Sequence, residues 1–162
     1  MINETPRIDK ISVAGPATLR VKWKGKGAPV DVNLTGWIAT GGEALAALNR
    51  RDTFGKATVG NYGSAVLWDD GDLAIDATHL LLLANEQKEF DKDDARGWQR
   101  STGLSNNEVA DLLGISLSTW NAYKAGTSTI PLTIAMMCRA MLRDPLIMQA
   151  HLRPRKAGRP AA

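Results

Sequence analysis

The amino-acid sequence predicts an α+β domain at residues 1–87 followed by an all-α domain at residues 88–150. Apolar and polar residues alternate in the first half, which is the period of half-buried β-strands. From Asp93 onward this alternation is absent, and apolar residues recur three and four positions apart, as on one face of a helix. The segment "EQKEFDKDD" between the two halves is charged and nearly devoid of apolar residues. We therefore place a linker and domain boundary near residues 86–92.

The alternation is clearest in "TLRVKWKG", where Leu19, Val21 and Trp23 share one face of the predicted strand. After two glycines, "PVDVNL" alternates again, with apolar residues at every second position. Two such segments separated by a glycine-containing turn predict a β-hairpin. The preceding segment "IDKISV" predicts a third strand beside it.

The rest of the first half predicts two helices around a second group of strands. Thr40 and Glu43 have the spacing of a capping box, which predicts one short helix through "EALAALNRR". The segment "KATVGNYGSAVLWDDGDLAID" then predicts two or three strands separated by glycines, with a hairpin turn at Asp70-Gly71. Asp76 is the expected N-cap of a closing helix, "ATHLLLLANEQ".

Capping residues divide the second half into short helices. Ser105 and Glu108 form another predicted capping box, so a helix should begin at the next residue, Asn106. Ser116 can cap a second helix that runs to about residue 125. Both helices should end at glycines that accept a left-handed turn, Gly114 and Gly126. A proline then begins a further helix, "PLTIAMMCRAML".

The second of these helices has an inner and an outer face. Trp120 and Tyr123 are three residues apart and should turn that face toward the core. The other face carries small and polar side chains, those of Ser118, Thr119, Asn121 and Ala122. Such a helix, held by aromatic residues on one side, is exposed and polar on the other.

This order and spacing of residues resembles the lambda-repressor-like, XRE-type helix-turn-helix family. The segment "GLSNNEVADLLGISLSTWNAYKAG" carries the resemblance through Gly103, Leu104, Ser105, Ala110, Gly114, Ile115, Ser116, Thr119 and Gly126. With "ARGWQRST" as the preceding helix, the resemblance covers roughly residues 93–145. The fold class that follows is an α+β N-terminal domain followed by an all-α helix-turn-helix domain.

The resemblance implies a homodimer that binds double-stranded DNA in the major groove, because symmetric operators call for two reading helices. At the start of the first helix, backbone N–H groups would face a phosphate, at Asn106 and Asn107. The second helix would present to the base edges Ser116, Leu117, Ser118, Asn121 and Ala122. Two hydroxyl residues after that helix would contact phosphates, Thr127 and Thr129. The predicted function is therefore a bacterial transcriptional regulator.

Charge is distributed unevenly along the chain. Residues 1–87 contain nine basic and ten acidic residues, and residues 88–150 contain seven of each. The predicted tail, residues 151–162, contains no acidic residue and four basic ones, Arg153, Arg155, Lys156 and Arg159. Because this tail is rich in Pro, Gly and Arg, we expect it to be mobile and to contact phosphates. The helical domain itself is neutral, and Lys124 stands where the family often carries glutamate.

The N-terminal domain resembles a small bacterial family of unknown function that occurs alone, near toxin genes or fused to helix-turn-helix domains. The segment Val59–Ala74 carries this resemblance, which extends over residues 6–85. With a net charge of −1 and no catalytic set, this domain is expected to mediate self-association or to hold a protein partner. The alternative function is therefore an antitoxin-like or adaptor protein whose neutral helical domain binds DNA weakly or not at all.

No motif predicts an enzyme, a cofactor or a metal site. His79, His151 and Cys138 are too few and too scattered for a zinc site. The aspartates of "WDDGDLAID" lack the spacing and closing glutamate of a calcium loop, so a turn and a helix cap explain them better. A single cysteine fits a reducing cytoplasm, which is the expected location. No apolar run approaches the roughly 20 residues that a membrane span requires.

Overall fold

The computed structural model describes residues 5–155, and the chain divides into two compact units, Met1–Lys88 and Glu89–Ala162. The structure is mixed α/β with a helical C-terminal region. Within the described residues, all β-strands lie in the first unit. The division falls inside the charged segment "EQKEFDKDD".

A three-stranded antiparallel sheet begins the first unit, in the order β1-β2-β3. Its strands are β1 (Ile8–Gly15), β2 (Thr18–Trp23) and β3 (Val30–Asn33). The predicted hairpin is confirmed, with Leu19 of β2 opposite Val32 of β3. Because successive side chains point to opposite faces, the apolar face of β2 is buried while Arg20 is exposed and forms an ion pair with Asp31.

The segment after β3 forms helices, but the predicted capping box is wrong. The helices are α1 (Thr35–Thr40), a 3-10 helix (Gly42–Asn49) and α2 (Arg51–Phe54). Thr40 is the last residue of α1, and its hydroxyl donates to the carbonyl oxygens of Gly36 and Trp37. A threonine hydroxyl that bonds back into its own helix is not available to cap the next one.

A second antiparallel sheet and a helix complete the first unit. The strands β4 (Thr58–Gly60), β5 (Ala65–Trp68) and β6 (Leu73–Asp76) pair in chain order and are followed by helix α3 (Ala77–Gln87). As predicted, the Asp76 carboxylate caps α3, accepting a hydrogen bond of 2.9 Å from the backbone N–H of His79. The turn predicted at Asp70-Gly71 lies inside a longer connection, residues 69–72 between the paired Trp68 and Leu73, and Asp69, Asp70 and Gly71 all have positive φ.

One core unites the elements of the first unit. Trp68 is fully buried, packs against the rings of Trp37 and Phe54, and donates its indole N–H to the carbonyl oxygen of Phe54. Apart from Trp23 of β2, the remaining core is aliphatic and comes from both sheets and from α3, through residues such as Leu19, Val66, Ile75 and Leu80. The polar atom of the tryptophan is thus satisfied inside an apolar core.

Five helices form the described part of the second unit. They are α4 (Lys92–Thr102), α5 (Asn106–Leu113), α6 (Leu117–Ala125), α7 (Leu132–Arg143) and α8 (Pro145–His151). Trp98 from α4 and Trp120 from α6 meet edge to face at the centre of the core, with ring centroids 6.0 Å apart. The indole N–H of Trp98 donates to the carbonyl oxygen of Cys138 in α7, which ties three helices together.

The mobile tail is predicted to begin at residue 151, but the first residues of that segment are structured. Helix α8 extends to His151, and Leu152 packs against the core of the second unit. Arg153 donates to the carbonyl oxygens at the end of α8, and Arg155 forms an ion pair with Asp111 of α5. Residues 151–155 are therefore held by packing and hydrogen bonds, which composition alone does not reveal. The other predicted tail contacts, Lys156 and Arg159, lie outside the described residues.

Candidate nucleic-acid interface

Helix α5 begins at the predicted capping box. The backbone N–H of Glu108 donates to the Ser105 hydroxyl at 3.3 Å, and the Glu108 carboxylate accepts from the backbone N–H of Ser105 at 3.0 Å. This reciprocal pair satisfies two of the amides that a helix N-terminus otherwise leaves open. Asn106 and Asn107 are the first two residues of α5, so their backbone N–H groups have no acceptor within that helix.

The turn between α5 and α6 is three residues long and fixes the direction of α6. Gly114 adopts the left-handed conformation, at φ 68°, as the predicted glycine C-cap requires. Its N–H and that of Ile115 donate to the carbonyl oxygens at the end of α5. Ser116 then caps α6, because its hydroxyl accepts a hydrogen bond of 3.1 Å from the N–H of Thr119.

Two aromatic residues anchor the inner face of α6. Trp120 is fully buried, and its indole N–H donates to the side-chain oxygen of Gln99 in α4 at 3.1 Å. Tyr123 is also buried and meets Trp120 edge to face, with ring centroids 6.4 Å apart. These contacts fix how deeply α6 packs into the core of the second unit and which side of the helix faces that core. The outer face of α6 therefore has a defined orientation within the unit.

The outer face of α6 holds most of the residues predicted to read bases. Leu117 is 41% exposed, and Ser118 and Asn121 are also exposed. The exposed Ser116 is less free, because its hydroxyl caps the helix and bonds the hydroxyls of Ser118 and Thr119 at 3.0 and 2.8 Å. Ala122 is half-buried at the side of this face.

The two threonines predicted to contact phosphates follow α6 and are exposed. Thr127 folds back onto the helix end, since both its N–H and its hydroxyl donate to the carbonyl oxygen of Ala122. Thr129 lies two residues farther along the same loop. The structure therefore places one hydroxyl in a capping role and the other on the open surface.

Asn106 joins α4, α5 and α6, a role that sequence reasoning missed. Its side-chain oxygen accepts hydrogen bonds from the Gln99 amide at 2.9 Å and from the Lys124 ammonium. Gln99 also donates to the carbonyl oxygen of Leu104. Lys124, which stands where the resembling family often has glutamate, is thus bound to a neutral oxygen. That departure from the family pattern was the available signal for this cluster.

A groove of basic character lies beside the Asn106 cluster and was also missed. Its lining includes three cationic side chains and no acidic one, and comprises Arg96, Gln99, Arg100, Gly103, Leu104, Lys124 and Ala125. Burial, and secondarily the positive charge of Arg96, lower the pKa of Lys124 from its ordinary value. The two arginines are four residues apart on α4, and that i, i+4 spacing was the sequence signal for a shared face.

The described residues offer little for covalent or metal chemistry. No group of three or more histidine, cysteine, aspartate or glutamate side chains within residues 5–155 is arranged to hold a metal ion. The one cysteine, Cys138, is fully buried in the core of the second unit. None of the helices described between residues 5 and 155 is long and apolar enough to traverse a membrane.

Cys138 is expected to resist alkylation in the native protein. Burial raises the pKa of its thiol to about 12 from the usual 9.0, so the thiolate fraction at pH 8 is on the order of 10⁻⁴. Between pH 9 and about 12 the thiol ionises in the unfolded chain but stays protonated in the native protein. The free energy of unfolding should therefore fall as pH rises through this range. Mass spectrometry after iodoacetamide treatment, with and without urea, measures the protection. Equal labelling under both conditions would contradict it.

Comparisons with known proteins give a weak structural match. No protein-family model matches the chain, and neither does any curated protein sequence. Among solved structures, the chain is similar to the crystal structure of a provisionally assigned DNA-binding protein from Nitrosomonas europaea. The similarity has a TM-score of 0.46 and 22% sequence identity, and it covers 85% of this chain and 86% of that one.

Proposed function

We propose that this chain is a DNA-binding transcriptional regulator of the lambda-repressor-like, XRE-type helix-turn-helix class. The observation that carries the proposal is helix α6, which is buried through Trp120 and Tyr123 and exposes Leu117, Ser118 and Asn121 on its other side. An α-helix with its side chains is about 10–12 Å across, and the major groove is about 12 Å wide. The exposed side of α6 therefore enters the groove while its buried side holds it in the protein.

The chemistry of the exposed residues matches base edges. The amide of Asn121 can donate to and accept from adenine at the same time, and the hydroxyl of Ser118 can bond to any base. Leu117 offers an apolar contact for a thymine methyl group. The three residues lie at the N-terminal half of α6, which is the part of a recognition helix that reaches the bases.

Phosphate contacts complete the proposed interface. The amides of Asn106 and Asn107 at the positive end of α5 favour an anion, and Thr129 offers an exposed hydroxyl. Additional positive charge comes from the C-terminal residues Arg153, Arg155, Lys156 and Arg159. Arg155 would exchange its exposed ion pair with Asp111 for a phosphate, a change that requires little energy at the surface.

We assign the first unit to assembly rather than catalysis. Residues 1–87 carry a net charge of −1, which disfavours contact with DNA, and the Asp76 carboxylate serves a helix cap and Asp70 a turn. A homodimer formed through this unit would present two α6 helices to a symmetric operator in the cytoplasm. A protein partner bound by the same unit would regulate that assembly.

Substitution of Asn121 or Ser118 by alanine is expected to reduce DNA specificity without unfolding the protein. Neither side chain contributes to the core, so the free energy of unfolding should change by less than about 0.5 kcal/mol. Loss of a bidentate contact at Asn121 should weaken specific binding by about 1–3 kcal/mol, and loss at Ser118 by less. Thermal melts and binding titrations with specific and scrambled duplexes measure both quantities.

Thr133→Ala on α7 is the matched control, because Thr133 is an exposed polar helical residue outside the proposed interface. It should leave both stability and base preference unchanged. If the Asn121 and Ser118 variants also bind the specific duplex normally, α6 is not the reading helix. The alternative, an antitoxin-like or adaptor protein with weak DNA binding, would then be favoured by the neutral charge of the helical domain.

A further inference from the structure

The basic groove combines side chains from two helices that are distant in sequence. Arg96 and Arg100 lie one turn apart on α4, and Lys124 lies near the end of α6. Arg96 is partly engaged by Asp93, at 3.6 Å, whereas no ion pair holds Arg100 within residues 5–155. The groove therefore concentrates positive charge on the helical domain, residues 88–150, whose net charge is zero.

Lys124 is held in place in this groove. Its ammonium donates to the side-chain oxygen of Asn106, which also accepts from Gln99. Partial burial and the charge of Arg96 both disfavour the protonated ammonium, so its pKa is lowered. A bound anion would relieve this repulsion, because it would supply the negative charge that the groove lining lacks.

The groove is continuous with the proposed reading face of α6. Leu117, Asn121 and Lys124 are spaced four and three residues apart, so they lie along one side of the helix. If Leu117 and Asn121 contact bases, the DNA backbone that flanks those bases would thus lie near Lys124. The amides of Asn106 and Asn107 at the start of α5 adjoin the same groove through the Asn106 side chain.

We propose that this groove binds one backbone phosphate of the duplex DNA whose bases contact α6. The inference rests on the proposed function and adds an anchoring site formed by Arg100, Lys124 and Arg96. Guanidinium groups bind phosphate oxygens through paired N–H donors, and an ammonium adds a compact charge. Such a site would let a helical domain of zero net charge bind DNA, because three of the seven cations in residues 88–150, and none of their acidic residues, line the groove.

Salt dependence of DNA binding by the full-length chain tests the site. Each phosphate neutralised contributes about 0.9 to the slope of log K against log salt. Arg100→Gln and Lys124→Gln should each lower the slope, and the double variant should lower it by about 0.9, the contribution of one phosphate. Specific and scrambled duplexes should be weakened by the same factor, because phosphate contacts carry no sequence information. Lys10→Gln, an exposed cation of β1, is the control and should leave the slope unchanged.

Thermal melts of each variant establish that the protein remains folded, and titration with inorganic phosphate forms a separate arm. If the wild type binds duplex DNA and the double variant retains its slope, the groove site is overturned while the proposed function stands. Phosphate-induced NMR shifts at Arg100 and Lys124 with an unchanged DNA slope would also overturn it, and would assign the groove to a free anion. If the wild type binds no duplex, both the proposed function and the groove site are overturned.

Discussion

Replacing Trp120 with alanine is expected to destabilise the helical unit by about 3–5 kcal/mol, the usual loss for a buried aromatic residue. Trp120 has no exposed surface, and its ring contacts those of Trp98 and Tyr123. The substitution also leaves the side-chain oxygen of Gln99 without its indole donor. For a small domain at the lower end of the usual range of about 5–15 kcal/mol, this loss should remove most of the stability and weaken the proposed DNA binding indirectly.

Chemical denaturation followed by NMR signals of the two units measures this effect. Signals from β2 and β5 in the first unit should keep their unfolding midpoint, whereas those from α5 and α6 should shift. Trp120→Phe retains an aromatic ring and should cost less than the alanine substitution. A loss below about 1 kcal/mol for Trp120→Ala would show that Trp120 does not anchor α6. The orientation of the exposed face of α6 would then not be explained by this contact.

Replacing Gly63 with alanine is expected to destabilise the first unit by about 2–5 kcal/mol. Gly63 lies in the turn between β4 and β5 at φ 85°, where an L-residue is strained by about 1–2 kcal/mol. A β-carbon at this position would also overlap the backbone carbonyl oxygen of Ile8 in β1. Because backbone cannot move aside as a flexible side chain can, this overlap should add about 1–3 kcal/mol.

Gly71→Ala is the matched control in the turn between β5 and β6. Its φ of 98° imposes backbone strain, but an added β-carbon has no neighbouring atom within 4 Å. Urea titrations of the two variants should therefore show Gly63→Ala as the more destabilising by about 1–3 kcal/mol. Equal losses of stability in the two variants would mean that close packing of Gly63 against the Ile8 backbone adds nothing to the cost of the substitution.

Local signals were sufficient to predict most helices and strands. The alternation in β2, the caps at Ser105 and Ser116, and the glycine at position 114 each depend on a few neighbouring residues. The capping box at Thr40 failed although its spacing is correct, because the hydroxyl bonds back into α1. Sequence spacing does not distinguish a residue that begins a helix from one that ends a helix.

The cross-helix contacts of the interface could not be predicted in this way. Gln99 and Asn106 are seven residues apart, Asn106 and Lys124 eighteen, and Asp111 and Arg155 forty-four. Their contacts arise only when the helices pack together. The sequence therefore predicted exposed residues of α6 from helical periodicity, but not the groove that lies at the end of that face.

Selection from random duplex DNA with the full-length wild type and with Asn121→Ala tests the central claim most directly. If α6 reads the major groove, the wild type should enrich a defined sequence, repeated with two-fold symmetry if the protein is a dimer. The Asn121→Ala variant should enrich the same sequence with relaxed preference at one base pair per half-site. Enrichment of no sequence by the wild type, at salt concentrations where it still binds DNA, would contradict the claim that this helix recognises bases.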